Sequence, residues 1–206
     1  MKMSIKKIIL LILVCIIFIT SFFISKKDVI NSKQKDILKL TPYNNATDKE
    51  DILHILKENF FWIIHGCTFE EYDFASKLEA GVVTFEGEDA NKPMNIIVMK
   101  DKKRVAGFLT YYVYQSGIGR IHLLGVDKEY RRCGIGEKLA RYAIEDLFKQ
   151  DINVIFLITL RENIRAQNLY KKLGFVQNDE LLDGESDSDI VYFVLEKKAY
   201  KTATIN

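Results

Sequence analysis

The stretch VDKEYRRCGIGEKLARYAIEDLF, which runs from Val126 to Phe148, carries the strongest structural signal in the chain. Arg131 and Arg132 precede a turn that contains Gly134 and Gly136. The residues after this turn have the spacing of an amphipathic helix, with apolar positions at Leu139, Ala140, Ala143, Ile144 and Leu147. The free N–H groups and dipole at a helix start favour an anion, and glycine lets the backbone approach it closely. The pattern therefore indicates either a plain tight turn or a phosphate-binding turn.

Two common phosphate-binding motifs are excluded by their residues. A Walker loop needs G-x-x-x-x-G-K-[ST], and the turn lacks that pattern. A dinucleotide fingerprint needs a third glycine where this chain has Leu139. A phosphate site at this turn must therefore be of another kind.

The other periodic segments predict an α/β domain with a mixed, mostly antiparallel sheet flanked by helices. The run INVIFLITL is nearly continuous in apolar residues, which is typical of a strand buried on both faces. Helices are expected after a cap at Thr47 or Asp48, after Thr68 as one short helix, after Gly134, and from Asn163 to Leu173 with Gly174 ending it. Strands are expected in DILKLTPY as far as Pro42, and in MNIIVMK, RVAGFLTYYVYQ, RIHLLGV, INVIFLITL and DIVYFVLEK.

Composition excludes several classes of protein. The chain of 206 residues has a formal charge of +2, but residues 1–27 hold five lysines and no acids. The rest carries 25 basic against 28 acidic residues, so a nucleic-acid partner is not expected. Three cysteines without paired spacing argue against a disulfide framework. His65-x-Cys67 is too little for a metal site, and no metal is predicted.

The N-terminus predicts a membrane anchor. Residues 8–24 are almost entirely apolar and have lysines on both sides. Seventeen residues at a rise of about 1.5 Å give roughly 25 Å, just short of a hydrocarbon core. A cleaved signal peptide is the alternative, although no A-x-A site follows. Residues 1–27 are therefore interpreted as a single-pass anchor or signal peptide, followed by a linker over 28–35. Three lysines precede the stretch and five follow it closely, which favours a cytoplasmic body.

Two motifs together resemble those of the GNAT family of N-acetyltransferases. The first is Arg131-x-x-Gly134-x-Gly136, which follows a strand and precedes a long helix. The second is LITLRENIRAQNLYKKLGF, where the strand leads to Asn163 and the helix ends in Tyr170-x-x-x-Gly174-Phe. The resemblance implies a GNAT domain over about residues 36–200, with a tail at 201–206. It also implies acetyl-CoA as cosubstrate, with its pyrophosphate at the glycine turn.

The resemblance assigns roles to particular residues. It implies that the strand before the turn splays from its neighbour and binds the pantetheine arm, with the Leu124 N–H nearest the reacting carbonyl. Tyr170 would be the acid for the departing thiolate, and Asn163 would contact the pantetheine or cap the helix. The implied cofactor-binding residues are Leu124, Gly125, Val126, Arg131, Arg132, Cys133, Gly134, Ile135, Gly136, Asn163 and Tyr170.

The general base is left open by the sequence. Many members of the family place a glutamate on this strand, where this chain has Arg120. His122 lies two residues further, on the same face of the strand. A histidine titrates near neutrality and is suited to deprotonating an amine through water. The alternatives are a structural histidine, or an amine that arrives already neutral.

The acceptor is expected to be a primary amine of a small molecule, peptide or protein. The loop QNDELLDGESDSDI is rich in acidic residues, which indicates either a solvated surface or a site that attracts a cationic amine. Phe60, Phe61, Trp62 and Tyr72 are candidate pocket walls or core residues. The sequence thus predicts a membrane-tethered acetyl-CoA-dependent N-acetyltransferase. A non-catalytic acyl-CoA sensor or scaffold is the alternative, because Arg120 replaces the usual acid.

Overall fold

The computed structural model describes residues 38–64, 67–83, 92–113, 117–178 and 189–205. The chain divides into two units, Met1–Leu38 and Lys39–Asn206. The predicted anchor at 1–27 and linker at 28–35 lie outside the described residues, and both stay predictions. Among the residues that are described, none of the helices has the length and apolar character to cross a membrane.

The described strands are 2 to 10 residues long, and the described helices are 4 to 19 residues long. The strands are β1 (Leu38–Pro42), β2 (Val82–Val83), β3 (Lys92–Pro93), β4 (Asn95–Asp101), β5 (Arg104–Val113), β6 (Gly119–Val126), β7 (Val154–Leu160), β8 (Val176–Gln177) and β9 (Ile190–Glu196). The helices are α1 (Asn45–Ile63), α2 (Phe69–Tyr72), α3 (Phe74–Ala80), α4 (Ile135–Lys149), α5 (Ile164–Lys172) and α6 (Lys197–Ile205), with a 3₁₀ turn at Lys128–Tyr130.

The main sheet has the order β1-β4-β5-β6-β7-β9-β8, and β2 pairs with β3 separately. Strands β4, β5 and β6 are antiparallel neighbours. Strand β7 runs parallel to β6, while β9 runs antiparallel to both β7 and β8. The predicted mixed, mostly antiparallel sheet flanked by helices is therefore confirmed.

The core lies on both faces of the sheet. On one face, α1 and α3 contribute Ile52, Ile55, Leu56, Phe74 and Leu78, which pack on Val98, Phe108, Tyr112 and Leu123 of the strands. Helix α4 covers the other face, where Ile135 and Leu139 lie against Gly107 of β5. The apolar spacing of α4 matches its buried side, since all five apolar residues predicted to share one face of this helix are buried.

The predicted cap of α1 is wrong. The helix begins three residues earlier than Asp48, with Asn44 as the cap, and the Asn44 Oδ1 accepts from the Ala46 N–H at 3.0 Å. Asp48 is instead fully buried, where it accepts from the Asn44 N–H at 2.9 Å and pairs with Lys100 at 2.5 Å. The burial of Asp48 would raise its pKa, but hydrogen bonds from Lys100, Thr47 and Asn44 outweigh this and lower it.

The single helix expected after Thr68 is split in two. Thr68 and Glu71 form a capping box at the start of α2, in keeping with the predicted start. Asp73 then adopts a φ of 43°, which ends α2, and its side chain caps α3. The short strands β2, β3 and β8 were not predicted. After β9 the chain forms α6, which crosses the boundary drawn at residue 200.

Gly125 is required where α1 packs against β6. A Cβ at Gly125 would lie 2.6 Å from Phe108 Cε1 and 2.9 Å from Ile55 Cγ2, and both residues are buried. We expect Gly125→Ala to lower the free energy of unfolding in urea by about 1–3 kcal/mol through overpacking. Gly136→Ala is the control, because the added carbon would find its nearest neighbour at 3.5 Å. Equal stability of the two variants would contradict this packing argument.

Candidate active site

Strands β6 and β7 separate shortly after they begin. Their parallel ladder pairs Gly119 with Ile155 and Arg120 with Phe156, and no further pair continues it along these two described strands. The backbone of β6 beyond Arg120 therefore faces a gap instead of a neighbouring strand. The splay that the family resemblance implied is present at this position in the sheet.

The gap opens into a cleft with a volume of about 290 Å³. Its walls come from α1, β6, the turn before α4, β7 and α5. Most of the site residues inferred from the sequence line it, namely His122, Leu124, Val126, Arg131, Arg132, Gly134, Ile135, Gly136, Asn163 and Tyr170. Gly125 and Cys133 do not line the cleft. The side-chain position of Gly125 faces the core, and the Cys133 Sγ lies 3.8 Å from the Arg131 carbonyl oxygen.

The turn before α4 directs backbone N–H groups into the cleft. Gly134 caps the helix with a φ of 76° and no side-chain hydrogen bond. The first helical bond runs from the Lys138 N–H to the Gly134 carbonyl at 3.1 Å. The N–H groups of Ile135, Gly136 and Glu137 precede that bond, so they have no partner within the helix. Gly134 is thus needed for its left-handed backbone, whereas Gly136 leaves space beside Leu124 and Val126.

Arg131 is fixed by a residue that the sequence analysis did not identify. The Arg131 Nη2 donates to the Asn59 Oδ1 at 2.9 Å, and the Asn59 Nδ2 donates to the Ile55 carbonyl at 2.7 Å. Asn59 is 4% exposed, so this contact holds Arg131 against the core. The signal was present in the sequence, because Asn59 is a polar residue at helical spacing from the apolar Ile55 and Leu56.

Arg165 is a second residue that the sequence analysis missed. It lies in the first turn of α5 and lines the cleft with Arg131 and Arg132. The pKa of Arg165 is lowered by burial and then by the positive charges of Arg131 and Arg132. A cation in the first turn opposes the helix dipole, and this could have drawn attention to Arg165.

His122 lies at the base of the gap as the extra residue of a β-bulge. Thr110 pairs with Leu123 and Tyr111 with Ile121, which leaves His122 between the two pairs. The Thr110 hydroxyl accepts from the Leu123 N–H at 3.1 Å and thereby satisfies the backbone at the bulge. Bulges bend a strand and re-aim side chains, and this one brings His122 to the cleft.

The expectation that His122 titrates near neutrality is wrong. Burial, followed by the positive charges of Arg120 and Lys77, holds the pKa of His122 well below its ordinary value. The imidazole Nε2 lies 3.1 Å from the Tyr72 hydroxyl. The imidazole ring also meets the Tyr112 ring edge-on, at 5.8 Å between centroids. His122 is therefore neutral at physiological pH.

Tyr170 is held deep in the cleft by aromatic neighbours. Its side chain is 7% exposed and packs against the rings of Phe175 and Phe193 at 5.9 and 6.1 Å. Burial raises the pKa of Tyr170 to about 12. The Tyr170 hydroxyl therefore keeps its proton to a higher pH than an exposed tyrosine does.

Asn163 caps α5, which was one of the two roles considered for it. Its Oδ1 accepts from the Ala166 N–H at 3.2 Å, and its Nδ2 donates to the Trp62 carbonyl at 3.2 Å. This second bond joins the start of α5 to the end of α1 across the cleft. A contact between Asn163 and the pantetheine stays a prediction.

The aromatic residues considered as walls of the acceptor pocket lie in different surroundings. Trp62 lines the cleft and Phe61 beside it is 65% exposed, whereas Phe60 packs against Phe69 and Tyr72. The acidic loop lies outside the described residues between 179 and 188, so its attraction for a cationic amine stays a prediction. Asp189, at its end, accepts from the Arg161 N–H through its backbone at 2.7 Å.

Comparison with known proteins identifies the family. Residues 50–175 match the sequence model of the Acetyltransferase (GNAT) family, so the chain belongs to that family. The chain is 41% identical over 63 residues to N-alpha-acetyltransferase 30 of Homo sapiens, which covers 31% of the chain and 17% of that protein. It is 27% identical over 92 residues to the [ribosomal protein bS18]-alanine N-acetyltransferase of Escherichia coli, covering 45% and 61% respectively.

The fold comparison agrees. A GNAT acetyltransferase structure from Staphylococcus aureus Mu50 superposes with a TM-score of 0.62 at 20% identity, over 77% of this chain and 98% of that one. The chain matches less than two thirds of the length of either curated relative. The predicted membership in the GNAT family is therefore confirmed.

Proposed function

We propose that the chain transfers an acetyl group from acetyl-CoA to a primary amine by direct attack within a ternary complex. The observation that carries this proposal is the splayed cleft, whose walls include the N–H groups of the α4 start, Tyr170 and His122. The residues fit the cosubstrate, because the helix start favours an anion and the gap beside β6 leaves room for an extended arm.

The Leu124 N–H is the proposed donor to the carbonyl oxygen that gains negative charge during attack. The Leu123 N–H points to Thr110 on β5. Since successive N–H groups of a strand point to opposite edges, the Leu124 N–H points toward the gap. A donor aimed at the developing charge stabilises the transition state more than the ground state.

Proton movement is divided between two side chains in this proposal. As the new C–N bond forms and the C–S bond breaks, the Tyr170 hydroxyl donates its proton to the departing thiolate. The amine proton leaves through neutral His122, directly or by water, or the amine binds already neutral. The positive charges of Arg120 and Lys77 disfavour a lasting imidazolium, so His122 must pass the proton on.

The relatives guide the choice of acceptor. Their names specify N-alpha-acetylation and the alanine of ribosomal protein bS18, so peptides with a free α-amino group are the first candidates. A third relative, the mycothiol acetyltransferase of Paenarthrobacter aurescens, is 32% identical over 80 residues. Small amines are therefore also candidate acceptors.

The test is incubation of the full chain with acetyl-CoA and a mixture of peptides and small amines, followed by mass spectrometry. Mass gain of one acetyl group on an amine, absent when the chain is omitted, supports the proposal. The second candidate is an acyl-CoA-binding module without catalysis, which the Arg120 charge beside His122 favours. Binding of acetyl-CoA without transfer to any amine would support that candidate instead.

The state of His122 leads to a pH prediction. Because its pKa is lowered, His122 stays neutral as pH falls through its ordinary pKa of about 6.5 and is protonated only well below it. We therefore expect the ratio of kcat/KM between the unmodified chain and His122→Ala to be constant from about pH 6 to 8. Titration of the amine affects kcat/KM of both proteins equally, so it cancels in this ratio. A ratio that rises with a midpoint near 6.5 would contradict the lowered pKa.

A further inference from the structure

Three arginines line one cleft in the described part of the chain. Arg131 and Arg132 come from the turn before α4, and Arg165 comes from the first turn of α5. Arg132 is held with a left-handed φ of 66°, which is uncommon for a residue with a side chain. The two segments are distant in sequence, so the fold itself brings these like charges together.

No carboxylate of the described residues pairs with this cluster of three arginines. Within the described residues none of the three arginines forms an ion pair, and the Arg131 partners are the neutral Asn59 side chain and the Val126 carbonyl. Glu137 also lines the cleft, but it is already paired with Arg141 at 3.0 Å and Lys172 at 2.6 Å. Like charges held close repel one another, and a bound polyanion would relieve that repulsion.

The number of cations exceeds what a pyrophosphate alone requires. A pyrophosphate diester carries two negative charges, which the α4 start and the arginines of its own turn can balance. Arg165 lies on a different helix, α5, and supplies one positive charge beyond those of the α4 start and its turn. The acyl donor carries one further anionic group, the 3′-phosphate on its ribose, with a charge of about −1.5 to −2 at pH 7.

We propose that Arg165 is a specificity-determining residue that binds the 3′-phosphate of acetyl-CoA, so that the cleft selects CoA over dephospho-CoA. This inference rests on the proposed function, because it assumes that the cleft takes the acyl donor. Dephospho-CoA keeps the pyrophosphate, the pantetheine and the thiol, and it lacks only the group assigned to Arg165.

Isothermal titration of the full 206-residue chain with CoA and with dephospho-CoA tests the assignment. A charge-assisted hydrogen bond of ordinary strength predicts that CoA binds about tenfold or more tightly than dephospho-CoA. Arg165→Gln should bring the two affinities together by weakening CoA alone. Lys171→Gln is the matched control, since it removes an exposed cation from the same helix outside the cleft and should keep the preference.

Arg165→Gln and the unmodified chain should bind dephospho-CoA with the same affinity, because this ligand lacks the phosphate assigned to Arg165. An unchanged affinity for dephospho-CoA therefore shows that the variant is folded. Equal affinities of the unmodified chain for both ligands would overturn the inference and leave the proposed function standing. A preference for CoA that survives in Arg165→Gln would overturn it as well. A chain that binds neither ligand would refute the proposed function itself.

Discussion

Replacing Tyr170 with phenylalanine is expected to lower the rate of acetyl transfer by roughly 100- to 10,000-fold, the range of general acid catalysis. The substitution removes the proposed proton donor and keeps the ring that packs against Phe175 and Phe193. The loss should appear in kcat, with the affinity for acetyl-CoA little changed, because the proton is needed only as the thiolate leaves. Single-turnover kinetics with a reactive amine would measure it.

Tyr142→Phe is the matched control, since Tyr142 is 41% exposed on α4 and does not line the cleft. The unmodified enzyme should also show no loss of rate from Tyr170 as pH rises through 9, because the acid form persists until its pKa of about 12. An unchanged single-turnover rate for Tyr170→Phe would remove Tyr170 from the mechanism.

Gly136→Val is expected to abolish the stabilisation that acetyl-CoA confers. A ligand at 100 times its Kd stabilises a protein by about 2.7 kcal/mol, which corresponds to roughly 5–10 °C in Tm for a domain of this size. The valine methyl groups would occupy the space beside Leu124, Val126 and Leu169, where an added Cβ has neighbours at 3.5–3.8 Å. Differential scanning calorimetry with and without acetyl-CoA measures the shift.

Substitution of Gly136 tests cosubstrate binding at the turn more directly than substitution of Gly134. The φ of Gly134 is 76°, so any side chain there strains the backbone, and loss of binding would not separate strain from blocked approach. Lys138→Val is the control, because it places valine in the same turn of the helix at an exposed position outside the cleft. If Gly136→Val shows the full shift in Tm, the turn does not bind the cosubstrate.

The sequence by itself determined the features that depend on neighbours along the chain. The pair Gly134 and Gly136 between two arginines and an apolar periodic run predicted the start of α4 at the right residue. Asn163 and Gly174 marked the two ends of α5. Helix starts, stops and faces are encoded within a few residues, because capping and side-chain periodicity act over one or two turns.

The tertiary structure alone decided the features that depend on residues distant in sequence. Asp48 appeared as a helix cap in the sequence, but Lys100 lies beside it in the fold and makes it a buried ion-pair partner. A backbone contact of Gly125 with the pantetheine stays a prediction, and only the fold shows that Phe108 and Ile55 close on its side-chain position. Asn59 and Arg165 carried no motif, and they belong to the cleft only because α1 and α5 meet there.

The protonation states of the site residues also could not be predicted from the sequence. A histidine titrates near neutrality by default, yet the cleft buries His122 near Arg120 and Lys77, which lowers its pKa. Tyr170 was assigned as an acid by its motif, and its raised pKa comes from burial in the fold. Desolvation depends on how deeply a group is buried, and Coulomb interaction depends on distances between charges through space. Most residues of the site could therefore be predicted from the sequence, whereas their protonation states are determined by the packing around them.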